Sequence, residues 1–89
     1  MEGEYMETVK DRSIFAEFLL DSRLEKGWSL RDLEIATEGI SPSYLHRLEK
    51  GLKKNPSVLT LNALAKAYEV DLIDLIELVL RDQKERNDE

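Results

Sequence analysis

Residues 28–68 read WSLRDLEIATEGISPSYLHRLEKGLKKNPSVLTLNALAKAY, a stretch punctuated by helix caps and stops. Ser29 is a good N-cap, with Asp32 three residues later where a capping box places its acid, so a helix runs from there to about Thr37. Gly39 and Ile40 make a turn. Ser41 is the next N-cap, and Pro42 takes the first helical position, where a missing N–H costs nothing. The helix that follows turns Leu45 and Leu48 inward and ends at Gly51. Leu52 to Asn55 is a basic loop, after which Pro56 and Ser57 open a helix carrying Leu61, Leu64, Ala65 and Tyr68 on one face.

The same logic extends outward in both directions. From Ser13 to about Lys26, the residues Ile14, Phe15, Phe18, Leu19 and Leu24 recur at helical spacing, and Gly27 stops the run. Asp71 caps a fifth helix, LIDLIELVL over residues 72–80. Residues 1–12 read as a loose acidic arm and residues 82–89 as a polar tail that frays, leaving 13–81 as the folded domain. The expected fold is all-α, five short helices with brief connections.

Composition narrows function before any motif does. Eighty-nine residues with 42% apolar content build one core, with no room for a large catalytic cleft or a separate sensor domain. The chain has no cysteine and one histidine, His46, which leaves no thiolate nucleophile and no metal set at ligand spacing, so neither metal nor cofactor is expected. No nucleophile stands beside a base and no glycine-rich phosphate loop appears, so an enzyme is not expected. The acidic N-terminus is unlike a signal peptide, and no apolar run is long enough to span a membrane; the expected location is the cytoplasm.

The net charge of −6 argues against a general polyanion binder, yet its distribution along the chain is uneven. Residues 41–57 carry Arg47, Lys50, Lys53 and Lys54 against Glu49, a net of +3, while the rest of the chain carries −9. This basic segment contains the second of two helices joined through Gly39-Ile40-Ser41, the spacing of a helix-turn-helix. A major groove about 12 Å wide admits such a helix, and a capped N-terminus presents its positive dipole end to phosphate. A lysine-rich loop after a helix is also what an ordinary solvated surface looks like.

The stretch GISPSYLHRLEKG at residues 39–51, followed by NPS and LNALAKAY, resembles the Cro/CI-type (lambda-repressor-like, XRE) helix-turn-helix family. The resemblance implies a five-helix DNA-binding domain, usually a dimer on a palindromic operator, acting as a transcriptional regulator and most often a repressor. It places Pro42, Ser43, His46 and Arg47 toward base edges, and Arg47 is the side chain able to fork onto guanine O6 and N7. It assigns Ser29, Leu30, Tyr44, Lys50, Lys53 and Lys54 to the DNA backbone, with packing an alternative for Tyr44. It also pairs Glu49 with Arg23 as a structural ion pair.

Two features depart from that pattern. One extra residue precedes Gly39, and the turn is expected to absorb it with Leu33, Ala36 and Thr37 inward, because the other register would bury Glu34 and Glu38 unpaired. The fifth helix is apolar at seven of nine positions, more than one small core needs, which nominates Leu72, Ile73, Leu75, Ile76, Val79 and Leu80 as a homodimer face. The alternative is that the first helix covers this face. A second functional class is an antitoxin or anti-regulator on the same fold, whose acidic arm and tail bind a basic protein partner.

Overall fold

The computed structural model describes residues 13–87, which form five α-helices and no strand. In chain order these are α1 (Ile14–Glu25), α2 (Leu30–Ala36), α3 (Pro42–Glu49), α4 (Val58–Tyr68) and α5 (Leu72–Asn87). The arm expected over residues 1–12 lies outside the described residues.

Four of the helices start the same way. Ser13, Ser29, Ser41 and Ser57 each accept a hydrogen bond from the backbone N–H three residues on, which removes one of the unpaired donors that every helix start leaves. At Ser29 the box is complete: the Asp32 carboxylate accepts the Ser29 N–H at 2.8 Å. Ahead of α5 it is the backbone carbonyl of Asp71 that receives the Asp74 and Leu75 N–H groups. α3 ends at Gly51, whose φ of 76° is open to a residue without a Cβ. α4 ends instead on Glu69 at φ 59°, and the Val70 N–H closes onto the Ala65 carbonyl at 2.9 Å.

The core gathers Phe15 and Leu19 from α1, Leu33 from α2, Leu45 and Leu48 from α3, Leu61, Leu64, Ala65 and Tyr68 from α4, and Leu75 from α5. α1 packs on both α3 and α5, α2 on α3, and α4 on α5. The inward residues of α3 and α4 are those the periodicity selects. Leu24 is not: it stands exposed at the end of α1, where the helix has run past the core.

Two further corrections fall on α5. Leu75, nominated for a dimer face, has 0% exposure inside its own chain and is unavailable to a partner. The helix also runs to Asn87, past the boundary drawn at Arg81, through a segment rich in good helix formers. Its register there is fixed by Asp82, whose carboxylate accepts the backbone N–H groups of Ile14 at 3.0 Å and Phe15 at 3.2 Å. An acid from the C-terminal helix therefore caps the first helix, where its charge also meets the positive end of the dipole.

Candidate nucleic-acid interface

The turn between α2 and α3 is built on two left-handed residues. Glu38 and Gly39 take successive positive φ values of 62° and 122°, and their N–H groups bond back to the Ile35 and Glu34 carbonyls at 3.0 Å each. Gly39 meets its value without strain, whereas Glu38 holds a left-handed conformation that costs an L-residue about 1 kcal/mol. Thr37 is buried and donates from Oγ1 to the Leu33 carbonyl at 2.8 Å, so the hydroxyl carries no unmet demand into the core. Leu33 and Thr37 are buried, Ala36 packs against the core, and Glu38 faces solvent.

α3 divides cleanly into two faces. Leu45, Leu48 and Glu49 are buried, while Ser43, His46, Arg47 and Lys50, at i, i+3, i+4 and i+7, form an exposed polar stripe. Pro42 is half-buried at the first turn. Tyr44 is also half-buried and packs against the core, which favours the packing alternative for its ring.

Glu49 is the one acid in the basic segment, and it does not face solvent. Its side chain is 4% exposed and accepts from Arg23 Nε at 2.7 Å and Nη2 at 3.0 Å, a two-point fork. Arg23 Nη1 also donates to the Trp28 carbonyl at 2.9 Å, so one guanidinium joins α1, the entry to α2, and α3. The hydrogen bonds to Glu49 hold the guanidinium pKa above its ordinary value, against the opposing effect of burial. Trp28 stacks on Tyr68 with ring centroids 5.8 Å apart, and Lys26 Nζ lies 5.2 Å from the Trp28 ring centre. With Glu49 withdrawn into this pair, residues 41–57 present four exposed cations, Arg47, Lys50, Lys53 and Lys54, and no exposed acid. The surface is more positive than the segment's formal charge of +3.

The loop after α3 starts as a tight return, with the Leu52 and Lys53 N–H groups sharing the Arg47 carbonyl at 2.9 and 3.3 Å. Lys53 and Lys54 therefore follow directly from the exposed face of α3. At the start of α2 the Ser29 N–H is donated to Asp32 and the Leu30 side chain packs on the core.

Several contributors lay beyond sequence reasoning. Asp82, assigned to an acidic tail for a basic partner, is engaged by the α1 backbone instead. Gln83 bonds to Asn55 across 28 residues, a separation that no local pattern reveals. Val58 and Leu59 leave two apolar side chains exposed at the start of α4, outside the inward face the periodicity marks. Among the described residues, no group of three potential ligands is placed to hold a metal ion, and no helix is long and apolar enough to cross a membrane.

A helix-turn-helix family model matches residues 19–75, from the middle of α1 to the start of α5. The HTH-type transcriptional regulator SlrR of Bacillus subtilis is 38% identical over 55 residues, covering 62% of this chain and 36% of that protein. The HTH-type transcriptional regulator DdrOP3 of Deinococcus deserti is 43% identical over 61 residues, 68% of this chain and 46% of that protein. An uncharacterized HTH-type transcriptional regulator of Sinorhizobium fredii, y4dJ, is 43% identical over 54 residues, covering 61% of this chain and 68% of that protein. The chain thus spans between about a third and a half of the first two relatives. No solved structure matches significantly.

Proposed function

The chain belongs to the Cro/CI-type helix-turn-helix family, and on that premise we propose that it is a sequence-specific DNA-binding transcriptional regulator, a repressor that docks α3 in the major groove of a palindromic operator as a dimer. The observation that carries this reading is the exposed stripe of Ser43, His46, Arg47 and Lys50 on a helix whose only acid is buried and paired. Arg47 is the reader, because its fork matches guanine O6 and N7. Ser43 and His46 flank it on the same face, with Pro42 at the groove-facing end. Lys50, Lys53 and Lys54 grip phosphate and supply affinity without sequence preference.

The dimer contact lies on α5. Ile73 and Leu80 are 64% and 59% exposed and sit seven residues apart, with half-buried Ile76 between them. These three form one apolar line on the outer side of the helix, and a second copy meeting it edge to edge buries what water would otherwise face. Leu72 and Val79 are half-buried against the chain's own core and border that line.

Selection of genomic fragments with the purified protein at two salt concentrations tests the reading. The expected result is a two-fold symmetric motif whose recovery falls steeply at the higher salt. Recovery without a shared motif, or indifference to salt, would remove groove docking from the account.

A further inference from the structure

The loop carrying Lys53 and Lys54 is held from both ends. At its start, the Arg47 carbonyl takes the Leu52 and Lys53 N–H groups. At its far end, Gln83 Nε2 donates to Asn55 Oδ1 at 2.8 Å and reaches the Lys54 carbonyl at 3.4 Å. Gln83 follows Asp82, whose carboxylate is fixed on the α1 N-terminus by two backbone N–H groups. Gly51, Lys53 and Lys54 share a narrow cleft with Val79 and Asp82, so the loop, the start of α1 and the last turns of α5 converge at one place.

We propose that Gln83 is a positioning residue for DNA binding: it fixes the Lys53-Lys54 loop in the conformation that meets the phosphate backbone, with Asp82 setting the register of the helix that presents it. This rests on the reading of Lys53 and Lys54 as phosphate contacts. A lysine on a free loop loses both loop and side-chain freedom when it engages a phosphate, and a loop already ordered loses only the latter. The contribution is therefore to affinity for the backbone of any duplex, and the base-reading face of α3 is untouched by it.

The test is Gln83→Met, which keeps side-chain length and helix propensity but removes the donor, with Asn55→Ala removing one acceptor from the loop side. Binding is measured to the best genomic fragment from the selection and to an unrelated duplex of equal length. The expected result is a loss of about two- to tenfold on both duplexes, with the ratio between them and the melting temperature unchanged. In a Lys53→Ala/Lys54→Ala background, Gln83→Met has no further effect, because the groups it positions are gone. Unchanged binding by Gln83→Met, while the double lysine variant binds weakly, overturns the role of Gln83 and leaves the proposed function standing. A double lysine variant that binds like the parent overturns the loop's phosphate role, and the inference with it. A loss from Gln83→Met that persists in full without the lysines overturns the inference by placing its effect elsewhere.

Discussion

Arg23 and Glu49 form a pair whose value lies in geometry. Taking both charges out of water is costly, and the two-point fork at 2.7 and 3.0 Å roughly offsets that cost. Removing one partner strands the other. Arg23→Met is expected to lower unfolding stability in urea by about 3 kcal/mol, and pairing it with Glu49→Leu recovers most of the loss. Tyr68 beside them is buried, and its hydroxyl has no hydrogen-bond partner among the described residues. Burial raises its phenol pKa above the ordinary range, the Glu49 carboxylate raises it further, and Arg23 opposes both. Since the folded state holds the proton more tightly than the unfolded chain, this contribution to stability is complete below about pH 10 and declines as pH rises through the elevated folded-state value. Tyr68→Phe is expected to match or exceed the parent's melting temperature at neutral pH and to flatten the alkaline fall. At the proposed interface, Arg47→Ala is expected to cost about 1–3 kcal/mol on the operator and relax one base position, whereas Lys53→Ala weakens all sequences alike in the same titrations.

At the scale of the elements, caps matter more than propensity, because α2 and α3 have only seven and eight residues and are too short to persist alone. Serine at each start and a left-handed residue near the end set their limits. Where that residue is Glu69 at φ 59°, strain remains, and Glu69→Gly is expected to raise the melting temperature slightly, equivalent to at most about 1 kcal/mol. The α1 start depends on an acid from the far end of the chain, so Asp82→Ala is expected to cost about 0.5–2 kcal/mol in urea unfolding. The caps of α2, α3 and α4 were legible because a cap involves residues three apart in sequence. The Asp82 cap was not, since its partners lie 67 and 68 residues away. The same limit explains α5: a run of polar residues after Arg81 looks like a tail until a neighbouring helix end supplies its partner.

Across the whole molecule, charge is unevenly distributed along the chain, with residues 41–57 its basic segment. Four exposed cations lie on that segment of a chain whose net charge is −6, so on the proposed function the acidic remainder is expected to repel DNA approaching from other directions and to favour one docking orientation. A dimer making about six to eight phosphate contacts is expected to show a log–log salt slope of roughly −5 to −7, measurable by titration at several ionic strengths. Ile73→Asp with Leu80→Asp is expected to yield a folded monomer by sedimentation and to lose most operator affinity, because each half-site then binds alone.

From the sequence alone came the five helices, the capped turn at Ser41-Pro42, the inward faces of α3 and α4, and the basic segment, all of which rest on residues within a few positions of one another. Packing settled the rest. It took Leu75 from the dimer candidates into the core and turned a predicted tail into the helix that caps α1 and holds the lysine loop. These outcomes depend on which distant groups meet, and local periodicity carries no record of that.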